Sequence, residues 1–219
     1  MSRRAHLGGT ALVVCGALVR PVQEIVRTRE WEVDVYALPA EHHLSPGRLA
    51  AAVDAKLTEL DGLYDRMVVV YGDCGTGGRL DDVLARHGAV RPVGLHCYEL
   101  LGGDEFSRIS RERPGTYFLT SWMVRTFRRT ILPSLGLDVD PDLIPAYFGN
   151  YTHVVYLRQY PDADLDRRAA EIADLLGLSL EIVDADGSEL AQRLANVLGR
   201  GGTSEEPRCS ERAEVRRVD

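Results

Sequence analysis

Apolar, β-branched runs such as Ala11–Cys15, Met67–Tyr71 and His153–Leu157 alternate with helical patterns from residue 11 to about residue 198. Near-continuous apolar strands suit a sheet buried on both faces, and a helix between each pair of strands makes the crossover that parallel pairing needs. The pattern predicts an α/β fold: a mostly parallel sheet with alternating helices, Rossmann-like, with a two-lobed variant left open. Residues 1–10 read as a flexible N-terminus, residues 11–198 as a single α/β domain and residues 199–219 as a disordered tail. The tail has little apolar content and mixed charge, so burial there does not offset the entropy of ordering. Cys209 goes with it and is set apart from any site.

Strands are expected at Ala11–Cys15, Trp31–Leu38, Met67–Tyr71, Val90–Leu95, Thr116–Leu119, His153–Leu157 and Leu180–Val183. Helices are expected at Val19–Thr28, Gly47–Leu60 behind Ser45 and Pro46, and from Arg79 onward. Two more, across Tyr98–Leu101 and Asp104–Arg113, are separated by Gly102 and Gly103. The second half adds Trp122–Leu132, capped by Thr120 or Ser121, a short helix between Asp140 and Tyr147, Asp164–Leu176 ended by Gly177, and Ser188–Leu198.

A net charge of −7 and a pI near 5.4 argue against general nucleic-acid binding, which draws its affinity from a basic excess. No stretch reaches the roughly 20 apolar residues of a membrane span, and the apolar run after Arg4 is broken by glycines where a signal peptide would continue. The expectation is a cytoplasmic protein with reduced cysteines, no membrane association and an open oligomeric state.

Three of the four cysteines fall where expected strands end: Cys15, Cys74 and Cys97. In an open parallel sheet the loops after the carboxyl ends of the strands line one crevice, so these residues are expected to converge. Soft, anionic thiolates favour zinc or an iron–sulfur cluster, and three of them leave one position for a fourth ligand. The candidate metal set is therefore Cys15, Cys74, Cys97 and either His43 or His96, with zinc ahead of an iron–sulfur cluster. Free cysteine also packs as a small hydrophobe, and Cys15, on an apolar strand, is the member most open to that reading.

The loop Gly72-Asp73-Cys74-Gly75-Thr76-Gly77-Gly78 is the most glycine-dense in the chain and precedes a helix. It reads as a place of close backbone approach and as an alternative phosphate cradle built by Gly72, Asp73, Gly75, Thr76 and Gly77. It lacks the Lys-Ser/Thr ending of a P-loop, and Asp73 would repel a phosphate. Glu99 reads as a carboxylate that orients a ligand histidine or binds a substrate amine, or as an ordinary acid at a helix start. Arg125, Arg128 and Arg129 give one helix a basic face on which a carboxylate or phosphate could dock.

VVCGAL at the first strand, EHHLSPGRL, YGDCGTGG, HCYELLGG and GNYTHVVYLRQY together resemble the prokaryotic family of unknown function DUF1638 over residues 11–198. The family pattern is similar at Tyr71 to Gly75 and again at Cys97 to Gly102, where His96 stands in place of the usual Asp. The resemblance implies an association with corrinoid-dependent methyl transfer. On that basis the expected function is a cysteine-rich metal site in an enzyme or accessory factor of methyl or one-carbon metabolism, with a small molecule or a corrinoid protein as partner. The alternatives are a metal-free small-molecule or phosphate-binding regulatory module, and a thiol redox protein using Cys74 and Cys97.

Overall fold

The computed structural model describes residues 8–44, 46–199 and 215–216. They build an α/β chain whose ordered elements follow the expected alternation. Two compact units appear, in keeping with the two-lobed variant that the sequence leaves open: residues 1–100 with 190–219, and residues 101–189. Among the described residues no helix is long and apolar enough to cross a membrane.

The first unit carries a parallel sheet in the order β3-β1-β2-β7, from β1 (Thr10–Cys15), β2 (Val33–Leu38), β3 (Arg66–Val70) and the two-residue β7 (Val215–Arg216). β1 is central, and Ala11, Leu12, Val13 and Val14 are fully buried. Helix α1 (Val19–Thr28) buries Val22, Ile25 and Val26 at helical spacing, with Pro21 in the first turn where its missing N–H costs nothing. A 3-10 turn over Ala40–Leu44 leads to α2 (Pro46–Leu60), and α3 (Arg79–His87) follows the glycine-rich loop. Most of the expected tail, Cys209 included, lies outside the described residues. Within it, Gly199 closes α8 (Ser188–Gly199) and Val215–Arg216 pairs with β2.

The strand expected at Val90–Leu95 does not form. Only Val90 bridges to β3, opposite Val68, and the chain then leaves the sheet. Pro92 has no N–H to continue a ladder. Arg91 instead ties the segment down as a loop, bonding Asp81 and the carbonyls of Pro92 and Gly94. Val93 and Leu95 are left exposed.

The second unit carries the parallel sheet β4-β5-β6, from β4 (Thr116–Thr120), β5 (His153–Arg158) and β6 (Ser179–Asp184). Helix α4 (Cys97–Glu112) is broken at Gly103, whose φ of 51° and ψ of −129° lie outside helical space, as the Gly102-Gly103 pair suggests. Thr120 caps α5 (Ser121–Ser134) by accepting from the Met123 N–H. A 3-10 turn over Pro141–Leu143 and α6 (Ile144–Phe148) supply the expected short helix. Asp162 caps α7 (Ala163–Leu176), and Gly177 ends it with a left-handed φ of 69°.

Candidate thiol site

In the first unit β2 and β3 lie on opposite sides of β1, so the chain reverses its direction of winding at the β1–β3 boundary. Such a switch point opens a crevice at the carboxyl ends of the strands. Val14 pairs with Val70, so the register carries Cys15 opposite Tyr71. The three free cysteines of the described residues, Cys15, Cys74 and Cys97, and the Tyr71 phenol all act electrostatically on one another at this point.

Cys74 arrives there through an unusual backbone. Its φ is 48° and that of Gly75 is 80°, two successive left-handed residues of which only the second is glycine. A non-glycine residue in this region is uncommon and carries a cost of order 1 kcal/mol that the surroundings must offset. The surroundings are specific. The Asp73 and Cys74 N–H groups donate to the carbonyls of Gly94 and Leu95 at 3.2 and 2.9 Å, which sews the loop to the segment carrying Cys97. Gly72 allows the closest approach: a Cβ built there would lie 2.7–2.9 Å from the backbone N, Cα and C of His96. The glycine at position 72 therefore sets how near Cys97 comes to Cys74.

The three sulfurs are not equivalent. Cys74 is half-buried, and its pKa is lowered from 9.0 to about 7, first by a hydrogen bond from the Cys97 thiol and then by the N–H groups of Cys97 and Gly72, against the opposing effects of burial and Asp73. These three lowering interactions favour its anion. Cys97 supplies two of them, and its own thiol is held well above the ordinary value by its bond to Cys74 and by burial. Cys15 is pushed up to about 12 by burial. The arrangement is one thiolate, Cys74, beside a proton-holding partner, Cys97, above a buried neutral thiol, Cys15.

The Tyr71 hydroxyl, fully buried, faces the Cys15 sulfur, a weak acceptor, and makes no well-formed hydrogen bond. Sequence reasoning placed Tyr71 in the strand and not in the site. A polar tip on the last residue of an otherwise aliphatic run was the available signal. Because the hydroxyl already lacks a good partner, Tyr71→Phe should change stability by less than about 1 kcal/mol, with a gain as readily as a loss. Chemical denaturation checks this, and a loss above about 2 kcal/mol would reveal a partner the hydroxyl depends on.

Other candidates take different roles. The Asp73 carboxylate accepts from the Thr76 hydroxyl and from the N–H groups of Gly77 and Gly78 at 3.1 Å, and these bonds hold its pKa below the usual carboxylate range. The chain's own carboxylate thus occupies the N–H groups that the phosphate-cradle reading assigned to an anion. Glu99 accepts from the Leu95 N–H at 2.8 Å and lies 3.7 Å from Arg193, so it clips the loop before α4. His96 is exposed, and its carbonyl accepts from the N–H groups of Glu99 and Leu100 at the start of α4. The His43 side chain lies outside the described residues. Among the described residues, no group of three or more His, Cys, Asp or Glu side chains is placed to hold a metal ion. Of the three sulfurs in the expected zinc or iron–sulfur set, only Cys74 is favoured as the anion, while Cys97 and Cys15 are both held toward the protonated form.

Residues 37–194 match the model of a family described as protein of unknown function, DUF1638. No curated protein and no solved structure matches the chain.

Proposed function

The chain belongs to the DUF1638 family, and from the geometry of its thiol cluster we propose that it works as a dithiol protein, with Cys74 as the nucleophile and Cys97 as the resolving thiol. One feature carries the reading: Cys74 and Cys97 meet at the carboxyl end of the sheet and act directly on one another, and the Cys97 thiol with the N–H groups of Cys97 and Gly72 lowers the Cys74 pKa to about 7. The Cys74 thiolate attacks a disulfide substrate, one substrate sulfur stays on Cys74 and the other leaves as thiolate. Cys97 then gives up its proton and attacks the Cys74 sulfur, which forms the Cys74–Cys97 disulfide and releases the second substrate thiolate. The same thiolate would also take a methyl group from a methylated corrinoid partner, whose carbon–metal bond breaks with its electron pair left on the corrinoid, the role the family association suggests.

Oxidation of the Cys209→Ser protein with a small disulfide tests the proposal. The expected result is the reversible loss of two thiols, with peptide mapping that joins Cys74 to Cys97. In Cys97→Ala a mixed disulfide on Cys74 should persist. If the mixed disulfide also persists when Cys97 is present, Cys97 is not the resolving thiol.

A second reading, a soft-metal site such as zinc, is favoured by the convergence of Cys15 with Cys74 and Cys97. It requires Cys15 and Cys97 both to lose their protons and the sulfurs to close on one ion. Stoichiometric zinc that shields all three cysteines from alkylation supports it, and zinc that leaves Cys15 unshielded counts against it.

A further inference from the structure

The second unit has a cleft of about 280 Å³ between α5 and α7, at the lower edge of the roughly 300–1,000 Å³ usual for small-ligand sites. Arg125, Arg128 and Arg129 of α5 and Arg167 and Arg168 of α7 line it. The unit's other arginines, Arg108, Arg111, Arg113 and Arg158, lie elsewhere, so most of its guanidinium charge gathers on one concavity of a chain whose net charge is −7. Buried Val124, Phe127 and Ile172 give the cleft an apolar floor.

The guanidinium groups divide into two sets. Arg167 pairs with Asp164 and Glu171, and Arg168 with Asp164 at 2.7 Å. Arg125 bonds the Tyr160 hydroxyl, stacks over its ring at 5.2 Å and lies 4.0 Å from Asp162. Three carboxylates are thus engaged with three pinned arginines. Arg128 and Arg129 make no hydrogen bond or ion pair among the described residues, and they leave the cleft with a surplus of two positive charges. Guanidinium forks match phosphate oxygens in bidentate geometry.

We propose that this cleft binds a phosphorylated small molecule, with Arg128 and Arg129 engaging its dianionic phosphate and the apolar floor meeting its organic part. The assignment is independent of the thiol chemistry in the first unit.

The test is calorimetric titration of the full chain with a sugar phosphate, glucose 6-phosphate, at constant ionic strength, with glucose and inorganic phosphate in parallel. Saturable binding of glucose 6-phosphate is expected, with weaker binding of inorganic phosphate and none of glucose. In R128E/R129E the affinity should fall at least about tenfold, because two attractions become repulsions. R111E, outside the cleft, should bind as the parent does, and an unchanged Cys74 alkylation rate with a cooperative melt confirms that the double variant is folded. Failure of both phosphates to saturate, equal binding by R128E/R129E, or binding of a short RNA with no response to either phosphate would each overturn the assignment.

Discussion

At pH 7 a thiolate-selective alkylating reagent is expected to modify Cys74 at least about 100-fold faster than Cys15. With pKa values of about 7 and about 12, about half of Cys74 and on the order of one part in 10⁵ of Cys15 is ionised. A more basic thiolate is intrinsically more nucleophilic, and a Brønsted slope of about 0.4–0.5 over this difference returns about two orders of magnitude to Cys15. The remaining gap is several hundredfold, and the burial of Cys15 adds steric protection to it. Residue-resolved mass spectrometry over a time course measures the ratio, and comparable rates at the two cysteines would contradict it. The same shifts give stability a defined pH dependence. Cys74 is depressed in the folded state, so its contribution is lost as pH falls toward 7 and is complete above 9.0. Cys97 and Cys15 are raised, so theirs is complete below 9.0 and erodes above it. The thiols together favour folding most near pH 9.

Gly72→Ala should cost about 1–3 kcal/mol and also raise the Cys74 pKa, two effects of one clash. The added methyl would meet the His96 backbone at 2.7–2.9 Å, and neither partner is the flexible end of a side chain. The His96-Cys97 segment must retreat, and with it go the Cys97 thiol and N–H that hold the Cys74 anion. Denaturant unfolding reads the first effect and the pH profile of alkylation the second. A variant that loses stability yet keeps the Cys74 pKa near 7 would separate the backbone contact from the thiolate. Full retention of both would show that the segment moves without consequence.

The placement of Cys15 and Cys74 at one end of the sheet was legible because parallel strands with helical crossovers put all their carboxyl ends on one side, and the apolar runs ending at Cys15 and Val70 register as strands without ambiguity, whereas Cys97 arrives from a loop and not from a strand end. Val90–Leu95 misled because its apolar residues outweighed Pro92, whose missing N–H ends the ladder after a single bridge. Asp73 was read as a group that repels a ligand, whereas a short carboxylate at the start of a glycine-rich turn bonds the turn's own N–H groups. The roles of Gly72 and Tyr71 depend on which segment packs against them, and no local pattern encodes that. The sequence leaves two lobes open, but where they divide was hidden for a similar reason. One boundary, between Leu100 and Leu101, falls inside α4 and carries no linker composition.

The ordering of the sulfurs is the centre of the account, and the pH dependence of Cys74 alkylation, measured in Cys209→Ser with and without Cys97→Ala, tests it most directly. The predicted result is an apparent pKa near 7 for Cys74 that moves up toward the ordinary thiol value of 9.0 once the Cys97 thiol is removed. A Cys74 pKa already near 9.0, or one near 7 that Cys97→Ala leaves in place, would contradict it.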